Sequence, residues 1–135
     1  MTCVPIKKTF IRNERLRSSR LIHELFARKI SFFEYPFRVT WMFLETQEKM
    51  PVQAMMSVPK YNFKKAVDRN LLKRRMKEAF RLNKQTLCHT LLSCRRSMAV
   101  CFTFTSKEIP AFDLIQQKII LILQRLIKEN EKVTG

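Results

Sequence analysis

Residues 66–84 read AVDRNLLKRRMKEAFRLNK, and the two sides of this stretch dictate what the rest of the chain must supply. Advancing about 100° per residue from Leu72 gathers Leu72, Met76, Ala79 and Phe80 into one apolar arc, with Leu71 and Leu82 at its far edge. Such an arc needs a surface to cover. On the opposite side Lys73, Lys84, Lys77, Asn70, Arg81 and Arg74 fall within an arc of about 100°, so five cations and one amide donor share a stripe. A solvated polar face is the ordinary fate of charge on an amphipathic helix, but ordinary faces mix signs. This stripe holds no acid: Glu78 borders it and Asp68 lies on the other side near the N-terminus. Unrelieved like-charge repulsion calls for a polyanion. Arg69 and Arg75 lie nearer the apolar arc, where pairing with Asp68 or anchoring the neighbouring loop is the alternative role.

The surface to be covered is a sheet. Behind Pro36, Phe37, Val39, Trp41 and Phe43 alternate with Arg38, Thr40 and Met42, and Val52, Ala54, Met56 and Val58 alternate in the next segment. The intervening TQEK predicts a hairpin connection. Pro59 ends the second strand, and a loop carrying Lys60, Lys64 and Lys65 leads into the basic helix. Residues 97–105 form a third strand with Met98, Val100, Phe102 and Phe104 on one face. Pro110 suits the first turn of a last helix whose Phe112, Ile115, Ile119, Ile122, Leu123 and Leu126 make a broad apolar face. Near the start, Ser18 or Ser19 caps a helix to about Lys29, with Leu21, Ile22, Leu25 and Phe26 at the spacing of a buried stripe. Residues 1–17 read as a loosely ordered basic arm. There are no repeats, and the one Gly is the last residue, so a single domain spanning 1–135 is expected.

Composition narrows the partner. The chain carries 27 Lys and Arg against 11 Asp and Glu, a net charge of +16, far beyond what solubility needs. Residues 57–84 hold ten basic and two acidic side chains and residues 1–29 eight and two, whereas residues 30–56 are net negative by one. The N-terminus lacks the apolar run of a secretory signal, and no stretch reaches the roughly 18 apolar residues of a membrane span. Four cysteines without a CxxC pair fit reduced thiols and a cytoplasmic location. Cys88, His89 and Cys94 match no common zinc spacing, and His23–Glu24 fails the H-E-x-x-H pattern because residue 27 is Ala. No catalytic Ser or Cys constellation is suggested and no Gly-rich phosphate loop is possible, so no catalytic or metal-binding side chain is expected.

Residues 66–84 closely resemble the signature helix of the bacterial ribonuclease P protein subunit, whose pattern runs R-N-x-x-K-R into an amphipathic basic helix. Glu14, Arg15 and Leu16, then Leu25 and Phe26, Pro36 and Phe37, and Ser57, Val58 and Lys60 occur in the family's order, so the resemblance covers roughly residues 10 to 126. Two positions depart: Leu71, where many members have a second Arg, and Lys29, where many have Gly. The resemblance implies an α/β (α+β sandwich) fold with a central mixed sheet of about four strands carrying helices, ribosomal protein S5 domain 2-like, with a left-handed β-α-β crossover. It implies an endoribonuclease subunit that promotes removal of the 5′ leader of precursor tRNA, with hydrolysis done by the RNA subunit and its Mg²⁺. Partners would be ribonuclease P RNA and precursor tRNA, with no membrane and no small-molecule substrate. RNA contacts are expected at Lys60, Lys64, Lys65, Arg69, Asn70, Lys73, Arg74, Lys77, Arg81 and Lys84. Leader contacts are expected at Arg15, Ile22, Phe26, Phe37 and Thr40, where stacking would tolerate variable sequence. The alternatives are a non-catalytic basic RNA-binding module of the ribosome or of RNA assembly, and a membrane-surface protein with a basic amphipathic helix.

Overall fold

The computed structural model describes residues 14–45 and 50–134. The elements run α1 (Ser19–Arg28), β1 (Ser31–Glu34), β2 (Phe37–Phe43), β3 (Val52–Ser57), α2 (Ala66–Asn83), α3 (Gln85–Ser93), β4 (Met98–Phe104) and α4 (Phe112–Thr134). The strands form one sheet in the order β1-β2-β4-β3, with β4 antiparallel to β2 and parallel to β3.

That order corrects the expected hairpin. β2 and β3 do not pair, because β4 lies between them; residues 46–49 themselves lie outside the described residues. The physical reason is in β4, MAVCFTF, which is buried at every position but Thr103 and so takes an interior place covered on both faces. A chain that leaves β3 and returns as a parallel neighbour needs a crossover, and α2 and α3 supply it.

Register sorts the side chains by parity. Phe37, Val39 and Trp41 of β2, Val52, Ala54 and Met56 of β3, and Met98, Val100, Phe102 and Phe104 of β4 join one large core. The apolar arc of α2 fills it, with Leu72, Met76, Ala79 and Phe80 fully buried, as do Leu87 and Leu91 of α3 and Ile115, Ile119, Ile122, Leu123 and Leu126 of α4. Phe80 meets Phe102 at 5.8 Å between ring centroids and Phe37 meets Phe104 edge-on at 5.7 Å. The other face carries a small core of Leu16, Leu25, Met42, Ala99 and Cys101, with Leu21, Ile22, Leu44 and Met55 half-buried around it. Among the described residues, α1 and Leu16 of the segment before it cover that side. The result is three layers, α1 over the sheet over α2, α3 and α4.

Local chemistry explains the helix ends. The Ser18 hydroxyl accepts from the Leu21 N–H at 3.4 Å, and Lys29 closes α1 in the left-handed region at φ 54°, the conformation for which a Gly would be the usual choice. α4 begins at Phe112, so Pro110 precedes the helix rather than entering it; its carbonyl accepts from Arg75 at 2.6 Å and ties the loop to α2.

The expected loose arm is corrected for its last residues. Glu14 and Leu16 are buried, the Leu16 N–H donates to the Ala54 carbonyl at 2.9 Å, and Arg15 bridges to Ala54 along the outer edge of β3. Residues 1–13 lie outside the described residues.

Candidate nucleic-acid interface

The outer face of α2 bears Asn70 and Arg74 exposed, with Lys73 and Lys77 half-exposed on the same side. Lys60, Lys64 and Lys65 stand exposed on the loop that enters the helix. Arg69 turns its guanidinium onto that loop, donating to the carbonyls of Phe63 at 2.8 Å and Lys64 at 2.9 Å. It therefore anchors the lysines beside it. Arg75 is engaged elsewhere, donating to the Pro110 carbonyl ahead of α4.

Two members of the predicted stripe behave differently from the rest. Arg81 forms a paired contact with Glu78, one leg Nε to Oε2 at 2.9 Å, which holds the Glu78 carboxyl below its usual range through the hydrogen bond first and the charge second. Some of the repulsion is thus relieved from within the helix. Lys84 is corrected outright: its side chain is 1% exposed, and its ammonium is paired with the buried Glu14 carboxylate across seventy positions of sequence. An ammonium leaves water only with a carboxylate to meet it, and the N-terminal segment brings one.

Arg15, expected near the leader, stands at the β3 edge close enough to depress Lys77. The Lys77 pKa is lowered first by burial of its stem, then by Arg15 and by Lys73. The N-terminal segment thereby lays a cation beside the α2 stripe.

The second surface lies beyond the end of α1. Phe26, Lys29, Ser31, Arg38, Thr40 and Thr103 line an open groove of about 470 Å³. It exists because α1 is too short to cover the whole face: Leu25 seals Met42, Ala99 and Cys101, while Phe26 is left 45% exposed. Of the five residues expected to hold a leader, the structure brings Phe26 and Thr40 to the groove, Thr40 as a buried residue in its floor. Ile22 packs on the small core, and Arg15 is at the far edge of the sheet. Phe37 is corrected: it is fully buried on the opposite face against Phe104, since residues 37 and 40 differ by an odd number and must point to opposite sides of a strand. Lys29, Ser31, Arg38 and Thr103 were missed. The alternation that sets Arg38 beside Thr40 was the signal available for Arg38.

Cys88 is buried, its thiol pushed up to about 12 by desolvation, while the neighbouring His89 is exposed. Among the described residues no three His, Cys, Asp or Glu side chains gather to hold a metal ion, and no helix is long and apolar enough to cross a membrane.

A basic helix face and a groove of mixed aromatic and cationic lining are the equipment of an RNA-binding protein. A family model for Ribonuclease P matches residues 10–127. The chain belongs to the ribonuclease P protein family. The ribonuclease P protein component of Porphyromonas gingivalis is 32% identical over 116 residues, covering 85% of this chain and 84% of that protein. The one from Chlorobium phaeobacteroides is 30% identical over 126 residues, covering 85% and 86%. The fold is similar to the RNase P protein of Staphylococcus aureus, with a TM-score of 0.61, 19% identity and coverage of 84% of this chain and 94% of that one. A mutant RNase P protein from S. aureus with defective mRNA degradation activity matches with a TM-score of 0.66 at 17% identity, covering 85% and 89%. As a ribonuclease P protein, the chain is a subunit of an endoribonuclease of tRNA processing.

Proposed function

We propose that the chain, acting as one domain in the cytoplasm, uses two surfaces for two RNAs. The outer face of α2 docks on ribonuclease P RNA through Asn70, Lys73, Arg74 and Lys77, extended by Lys60, Lys64, Lys65 and Arg15, with Arg69 holding the loop and Arg81 at the border. The groove of Phe26, Lys29, Arg38, Thr40 and Thr103 holds the single-stranded 5′ leader of precursor tRNA. The observation that carries the first assignment is that Asn70, Lys73, Arg74 and Lys77 stay accessible on one side while the opposite arc of α2 is fully buried. Lys84 leaves the set because it is buried.

In this reading the division of labour is the one the family resemblance implies, with phosphodiester hydrolysis belonging to the RNA subunit and its Mg²⁺. This chain's residues lower repulsion between two polyanions and orient the leader. Lys77 adds a pH signature. Its pKa is depressed in the free protein, and phosphate would raise it, so RNA affinity should weaken as pH rises through the free-state value.

The test is affinity for a bacterial ribonuclease P RNA as a function of salt. Each cation removed from the docking face should reduce the slope of log affinity against log salt by roughly 0.7–0.9. Arg74→Glu with Lys77→Glu should weaken binding strongly while circular dichroism stays native; unchanged affinity would remove α2 from the interface.

A further inference from the structure

The groove does not end at its lining residues. β1 pairs with β2 so that Ser31 lies opposite Thr40 and Phe33 opposite Arg38. Parity therefore puts Phe33 on the same face of the sheet as Arg38, Thr40 and the groove, while Phe32 and Glu34 turn to the other side. There Phe32 stacks under the Arg125 guanidinium at 4.2 Å and Glu34 pairs with Lys118 at 3.7 Å. The strand's other face is thus fully engaged with α4. Phe33 is not: its ring is 53% exposed at the sheet edge, next to the exposed Arg38.

A single exposed Phe needs no explanation by itself. Four residues on or beside the same surface give this one its meaning. Arg38 and Lys29 supply cations in the groove, Phe26 supplies a second accessible ring there, and Tyr35 braces Phe33 at 6.2 Å between centroids. Tyr35 is in turn fixed by its hydroxyl, which donates to Ser106 Oγ at 3.2 Å. From Ser31 to Phe33 is two strand residues, about 7 Å, a step comparable to one nucleotide of an extended strand. Accessible aromatic rings and cations on one surface suit single-stranded RNA, whose bases stack and whose phosphates meet the cations.

We infer that Phe33 is a second stacking platform, which continues the leader path from the groove across β1 to the edge of the sheet and engages nucleotides farther from the cleavage site than those over Phe26. The occupant is the same single-stranded leader, so the inference rests on the groove reading above. Its consequence is a dependence on leader length. A short leader fills the groove; a longer one also reaches Phe33.

The experiment uses the full chain reconstituted with a bacterial ribonuclease P RNA and measures affinity for precursor tRNAs with leaders of about two and about ten nucleotides, beside mature tRNA. Phe33→Ala should leave the short-leader substrate and mature tRNA unchanged and weaken the long-leader substrate roughly five- to a hundredfold, with Phe33→Trp restoring it. The long-leader affinity surviving Phe33→Ala, or falling equally for all three RNAs, would overturn the inference. Phe26→Ala separates this from the groove reading. If Phe26→Ala weakens leader-bearing RNA but Phe33→Ala does not, only the extension fails; if neither variant distinguishes leader-bearing from mature tRNA, the groove itself is misassigned.

Discussion

The two faces of the sheet are covered unequally. On one, three helices pack a continuous set of buried aromatic and aliphatic side chains; on the other, among the described residues, a ten-residue helix and the short segment before it seal only the middle. The difference teaches where each property resides. The heavily covered face holds the fold together and turns the polar back of α2 outward, whereas the thinly covered face keeps polar and aromatic groups within reach of a ligand. The main core and the groove proposed for the leader lie on opposite sides of one sheet, so changes on the two sides should separate stability from leader binding.

The largest effect is expected at the junction of N-terminal segment and α2. Lys84→Met leaves the Glu14 carboxylate buried without its cation and should cost about 3–5 kcal/mol in urea unfolding, whereas Glu14→Met with Lys84→Met should recover most of that loss. Equal losses for single and double variants would mean that the pair stabilises through packing of the stems alone. Next comes the comparison of cores. Phe80→Ala, in the core built by three helices, should cost about 3–5 kcal/mol, and Leu25→Ala, in the small core that α1 closes, about 2–3 because a short helix can settle into the space. If Leu25→Ala proved the costlier, the small core would be the organising one.

The smallest effect is a pH dependence. Burial pushes the Cys88 thiol up to about 12, while in the unfolded chain it ionises near its ordinary value of about 8.5. The raised group contributes stability that is complete below about pH 8.5 and is lost progressively as pH climbs toward 12. Cys88→Ala should flatten that decline in the urea midpoint between about pH 8.5 and 10. Cys101, buried beneath α1, is raised in the same direction by desolvation. Because its cover is thinner, native-state thiol labelling should reach Cys101 before Cys88; the reverse order would mean that α2 and α3 open more readily than α1.

Periodicity made much of this legible. The 100° wheel placed Leu72, Met76, Ala79 and Phe80 inward and Asn70, Lys73 and Arg74 outward, because α2 packs on a flat sheet and only its angular pattern matters. The same method failed at Lys84, since the carboxylate that draws it inward is seventy positions away and no local pattern reports it. α3 went unplaced because QTLCHTLLS is short and has no side-chain cap. Phe37 was placed with Thr40 on the strength of resemblance, against strand parity that already set them apart. Phe33 carries no local signal, because β1 is four residues long and four residues show too little alternation to announce a strand.

By itself the sequence determined the charge excess, the amphipathic helix with its single-sign stripe, and the faces of β2, β3 and β4. These are local or additive properties, set by spacing along the chain and by side-chain chemistry. Only the tertiary structure decided that β4 separates β2 from β3, that Glu14 withdraws Lys84 from the stripe, and that α1 stops short of Arg38 and Phe33. Each of these depends on which distant segment wins a place against the sheet, a competition among burial, pairing and chain closure that spacing along the chain does not encode.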